Sequence, residues 1–135
     1  MPCVEAVAIK TPNTAESHAL QIMDGAASGV FTSDTGFEPA LASFANGVDL
    51  FILECSFVRD KPLQNHLELA EAMHLVRKAR PKRAMLTNLY TEWDEVDIDH
   101  EIAAFERLCD VLQAEAGLRV NIQADCLTPE NALCS

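Results

Sequence analysis

TPNTAESHAL, residues 11–20, is a short polar break that opens onto an apolar strand. The same shape returns in VFTSDTG (30–36) and MLTNLY (85–90). Working outward from the first break, CVEAVAIK (3–10) before it and HALQIM (18–23) after it carry β-branched and small apolar residues and read as strands. DGAASG (24–29) is rich in turn formers, so VFTS (30–33) returns as the partner strand of a hairpin. EPALASFAN (38–46) fits a short helix, with Gly47 suited to the left-handed position after its end. VDLFILE (48–54) is almost continuously apolar, as expected of a strand covered on both faces.

The second half alternates in the same way. Asn65, with Glu68 three positions later, opens an apolar-periodic segment to Arg80, which Pro81 ends; this pattern predicts a helix with a capping box. RAMLTNL (83–89) reads as another buried strand. Asp97 or Asp99 opens a long helix whose Ile98, Ile102, Phe105, Leu108, Cys109 and Leu112 share one stripe, Gly117 stops it, and LRVNIQA (118–124) supplies a last strand. A hairpin followed by alternating helices and strands is an α/β layered domain, read as one unit over residues 1–135 because no repeat or linker divides it.

Bulk chemistry narrows the function. The chain has 135 residues and is 49% hydrophobic, enough for one core. Its net charge of −11 repels phosphate backbones, and only RKARPKR (77–83) is locally basic, which argues against nucleic acid as a partner. No apolar run approaches the roughly 18 residues of a membrane span. MPCVEAVAIK lacks the basic start and apolar centre of a signal peptide, so the expected compartment is a reducing cytoplasm. Five cysteines at 3, 55, 109, 126 and 134 form no CxxC pair; Cys55 and Cys109 read as small buried hydrophobes and no disulfide framework is expected.

Strand ends carrying Asp34, Glu54 and Asn88 would bring polar groups to one edge of a sheet, where α/β proteins place their sites. A local reading competes: Asp34 as a turn former, Glu54 as the end of a strand, Asn88 as a loop residue. DTG also resembles an aspartic-protease loop, but Thr32 and Ser33 replace the apolar residues expected before the aspartate, and the helices that follow do not suit a β-rich protease.

Taken together, TPNTAESHAL (11–20), FTSDTG (31–36), GVDLFILECSF (47–57), NHLELAEA (65–72), PKRAMLTNLY (81–90) and an Asp near 125 resemble, in order, the C-terminal half of the metallo-β-lactamase fold family, especially its ribonuclease Z-like and phosphodiesterase-like hydrolases. The resemblance implies half of an αββα sandwich, a mixed sheet with helices on one face, and a metal site at one sheet edge. Carried onto this chain, Asp34 takes the metal-bridging position and His66 a substrate- or proton-handling position that opens a helix. The family's two histidine ligands in these stretches fall on Asn13 and Asn88, and no HxHxDH motif exists in the chain.

Those departures bear on chemistry. Zinc prefers imidazole, thiolate or carboxylate, whereas an amide oxygen suits calcium better. The reading is therefore a half-domain without zinc-dependent hydrolase activity of its own, needing no cofactor and acting as a dimerising or partner-binding scaffold. The alternative is a phosphoester or ester hydrolase using zinc or manganese, with a site completed by another chain; Asp34 and His66 would then be catalytic and Asp34, Asn13 and Asn88 the family ligand positions. A plain α/β fold with accidental motifs is the third reading. A half sandwich leaves one sheet face to be covered, by a second copy in a homodimer, by a separately encoded complementing N-terminal half, or by a further stretch of a longer protein. On the local reading, Asn13 and Asn88 cap loops and His66 turns its ring to solvent at a helix start.

Overall fold

The structure, a computed structural model, describes residues 3–106 and 109–122. The expected Asp near 125, Leu108, Cys126 and Cys134 lie outside the described residues. One six-stranded sheet runs in sequence order: β1 (Val4–Lys10), β2 (His18–Asp24), β3 (Ala27–Phe31), β4 (Leu50–Glu54), β5 (Arg83–Thr87) and β6 (Asp110–Gln113). The first three strands pair antiparallel and β3 to β6 pair parallel, so the sheet is mixed. The β2–β3 turn has Gly25 at φ +62°, the left-handed conformation that a two-residue hairpin demands of its first central residue. Each parallel step is a crossover: α1 (Ala40–Phe44) before β4, α2 (Leu69–Ala79) before β5, and a 3-10 turn (Thr91–Glu95) with α3 (Ile98–Ala103) before β6. Among the described residues no helix is long and apolar enough to cross a membrane.

The core lies between the helices and one sheet face. Val30, Phe51, Leu53, Ala84, Leu86 and Val111 from the strands pack with Leu41 of α1, Leu75 and Val76 of α2, Trp93 and Ile102. The pleat sends alternate residues the other way. There Leu20, Ile22 and Phe31 stand 38%, 48% and 41% exposed, so among the described residues the second face is largely open toward the β2–β3 hairpin. Next to them, Ile122 lies over Gly29, where an added Cβ would meet its Cδ1 at 3.4 Å.

Three expectations are corrected. The long helix from 97 to 116 is not formed: α3 ends at Ala103, and Asp110–Gln113 becomes β6. Helical periodicity is a weak local preference. Pairing alongside β5 satisfies a row of backbone groups and places Val111 in the core beside Ala84. Gly117, at φ +84°, turns the chain after that strand instead of ending a helix, and residues 118–122 form no strand. The third correction moves the start of α2. Its capping pair is Glu68 with Glu71, whose carboxylate accepts from the Glu68 N–H at 3.2 Å, while Asn65 lies three residues upstream in a loop. Residues 66–69 are drawn elsewhere: the Leu67 carbonyl accepts from the Phe57 N–H at 3.2 Å and the Leu69 N–H donates to the Phe57 carbonyl at 3.0 Å. The helix stops where expected, at Arg80 in the left-handed conformation ahead of Pro81.

Leu86 is fully enclosed in β5, so Leu86→Ala is expected to lower stability by about 2–5 kcal/mol in urea denaturation, the range for a leucine cut back in a core that cannot collapse.

Candidate functional site

Three parallel strands end at the same edge, and each delivers one polar side chain there. Beyond β3, Ser33 adopts φ +55° and turns the chain so that Asp34 leaves the sheet exposed at its rim. The Thr32 hydroxyl accepts from the Glu54 N–H at 3.0 Å, tying that turn to β4. Beyond β5, Asn88 sits at φ +57°, a conformation asparagine tolerates better than most residues. Gly36 is needed for a close approach: its N–H donates to the Pro12 carbonyl at 2.7 Å, and a Cβ there would collide with the Gln64 carbonyl.

Glu54, the last residue of β4, is 1% exposed and anchors the edge. One carboxylate oxygen accepts from the Thr35 N–H at 3.2 Å and from His66 Nδ1 at 2.7 Å. The other accepts from the Ser56 N–H and the Ser56 hydroxyl, both at 3.0 Å, and from the Leu67 N–H at 3.1 Å. A carboxylate can only accept, so His66 carries its proton on Nδ1 in this arrangement and Nε2 is left as the acceptor. Nε2 faces the Tyr90 hydroxyl at 3.4 Å, and the rings of His66, Tyr90 and Phe57 pack edge-on or tilted around one another. Lys61 fixes the loop from below, donating to the His66 carbonyl at 3.0 Å and pairing with Glu71 at 2.7 Å.

The residues singled out in the sequence fall as follows. Asp34 and His66 come together with Glu54, one ligand atom of each lying within 4.8 Å of the others. Asn88 joins them, its Nδ2 donating to Asp34 Oδ1 at 2.9 Å and to the Ser56 hydroxyl at 3.3 Å. Asn13 stands beside the cluster and donates to the Asn65 carbonyl at 2.6 Å. The solvent-facing ring at a helix start is corrected for His66: it is 7% exposed, lies ahead of the helix, and is buried because Glu54 draws it inward. The sequence marks Glu54 only as a polar strand end at this edge and does not mark Ser56 or Tyr90, although all three carry the site's geometry. The available signal was an acidic residue closing the most apolar strand of the chain, with no cation near it in sequence. Cys55 is buried beside Glu54, and burial foremost, then the carboxylate, push its thiol far above the ordinary range, so it is no nucleophile.

With this geometry in view, the comparisons place the chain. No protein-family model matches the sequence. The crystal structure of the metallo-β-lactamase fold protein YhfI from Bacillus subtilis superposes with a TM-score of 0.72 at 22% identity, over 87% of this chain and 51% of that one. This chain carries half of a metallo-β-lactamase fold. The human short-form tRNase Z superposes on the same half-fold at a TM-score of 0.63 and 15% identity, over 87% of this chain and 42% of that enzyme. In sequence, the curated Bacillus subtilis protein YhfI, a probable metallo-hydrolase, is 29% identical over 83 residues, covering 60% of this chain and 34% of that protein. The half-fold therefore spans about a third to a half of the relatives it matches.

Such relatives raise the question of a metal, and the donor set among the described residues does not fit zinc. Both Glu54 oxygens are taken up by five donors, and His66 Nδ1 points its proton at Glu54. Asn88 turns its NH2, not its carbonyl oxygen, toward Asp34. That leaves the Asp34 carboxylate and His66 Nε2, two donors, where a zinc centre needs three or four nitrogen, sulfur or oxygen donors converging on one point.

Glu54→Gln keeps the volume but sets an NH2 group against backbone donors and removes the partner of His66. It is expected to cost about 3–5 kcal/mol in urea denaturation, the scale for breaking one side of a buried pair. A loss below about 1 kcal/mol would mean the carboxylate does not organise the edge.

Proposed function

We propose that this half-domain performs no zinc-dependent hydrolysis on its own and acts as a dimerising scaffold, burying its bare sheet face against a second copy. The observation that supports this most directly is the apolar strip of Leu20, Ile22 and Phe31, beside half-buried Ile52, on the face opposite the helices. Contiguous apolar surface of this kind marks an interaction site on soluble proteins. A closed two-fold pairing lets one strip cover the other and needs no second gene product. It would rebuild the four-layer order of a full sandwich, helices outside and two sheets within.

Light scattering tests it: a dimer mass is expected, falling to the monomer mass in Ile22→Lys/Phe31→Lys with the circular-dichroism spectrum retained. Each chain carries a net charge of −11, so dimerisation is expected to strengthen as salt is raised. A wild-type chain that stays monomeric at high concentration and high salt would sink the proposal.

A second reading has its own support. Glu54 holds the His66 ring in one tautomer with Nε2 turned to the open edge, which is how a carboxylate prepares a general acid or base. On this reading the half-domain lends Asp34 and His66 to a phosphoester or ester hydrolase whose remaining groups come from another chain. Adding a complementing N-terminal half would then produce manganese- or zinc-dependent hydrolysis of a generic phosphodiester, lost in His66→Ala. Equal hydrolysis by that variant would rule His66 out.

A further inference from the structure

We infer that the side-chain amide of Asn88 replaces a cation at this edge, cross-linking by hydrogen bonds the turn that carries Asp34 to the network that holds His66, while Asn13 braces the loop ahead of His66. The inference starts from what each amide can do. Asn88 Nδ2 has two protons, and both are used, one on Asp34 Oδ1 at 2.9 Å and one on Ser56 Oγ at 3.3 Å. The Ser56 hydroxyl sends its own proton to Glu54 at 3.0 Å, so its oxygen faces Asn88 as an acceptor. Both neighbours of the Asn88 nitrogen therefore accept. Flipping the amide to present its oxygen would set oxygen against the Asp34 carboxylate and abandon two hydrogen bonds.

Asn13 is fixed by the same logic. Its nitrogen donates at 2.6 Å to the Asn65 carbonyl, which can only accept, and its oxygen accepts from the Ser17 hydroxyl at 3.4 Å. The first bond ties the β1–β2 loop to the peptide that precedes His66. The result is a continuous path from Asp34 through Asn88, Ser56 and Glu54 to His66, joining the ends of β3, β4 and β5, with Asn13 holding the same loop from its other side. A metal ion would draw Asp34 and the residue at 88 together by charge. Here an amide does so with two N–H groups, and a cation placed between Asp34 and Asn88 would meet protons where it needs lone pairs.

Asn88→Asp tests this, since aspartate also tolerates the left-handed backbone but turns the donor pair into a second carboxylate facing Asp34. Asn88→Gly keeps the backbone conformation and removes only the amide. Wild-type protein dialysed against chelator is expected to melt within about 1 °C of protein given excess zinc, manganese or calcium. Asn88→Asp is expected to melt about 4–8 °C lower without metal and to recover part of that loss in manganese or calcium, which accept carboxylate oxygens. Asn88→Gly is expected to melt lower as well, with no recovery in metal. A wild-type melting temperature raised several degrees by any of the three ions overturns the inference, whether or not Asn88→Asp folds. So does an Asn88→Gly variant that melts with wild type. Neither result depends on whether the chain dimerises.

Discussion

A single buried carboxylate holds the functional edge together. Glu54 comes from the most apolar strand of the chain and brings a charge into the interior. Such a charge is tolerated only when donors surround it, and five do. Those donors come from the turn after β3, the peptide after β4 and the loop before α2. Satisfying one anion thus sets the positions of three loops. The delayed start of α2, the burial of His66 and the placement of Ser56 under Asn88 all follow from that demand.

The polar edge has two separate parts. One part is the carboxylate–imidazole pair, which is complete within the half-domain and leaves His66 Nε2 at the rim near Tyr90. The other is the rim where Asp34 and Asn88 meet, and there the hydrogen bonds close on themselves. The orientation of the His66 ring needs no metal because it depends on Glu54. Activation of water toward neutral pKa cannot, because it needs a cation's field.

The sheet has its own asymmetry. Its helix-covered face holds the core, while Leu20, Ile22 and Phe31 remain open on the other. The polar edge and the apolar face belong to different parts of the same strands: strand ends present the chemistry, and strand bodies present the surface to be covered. Pleat alternation is what lets one strand send alternate residues to the core and to the open face.

Five of the six strands, the helix positions of α1 and α2, and the gathering of Asp34, Glu54 and Asn88 at one edge were legible in the residues themselves. Period, apolar runs and turn chemistry are local properties, and where they are strong the fold follows them. Only tertiary structure decided that 110–113 is a strand, because the open side of β5 outweighs a helical stripe. Tertiary structure alone also decided that Glu54 is the anchor, that His66 turns inward, and that Asn88 offers nitrogen in place of oxygen. The physical reason is distance along the chain. The bonds that set these features link residues 12, 19 and 54 positions apart, and no local pattern encodes which donor a buried acceptor will find.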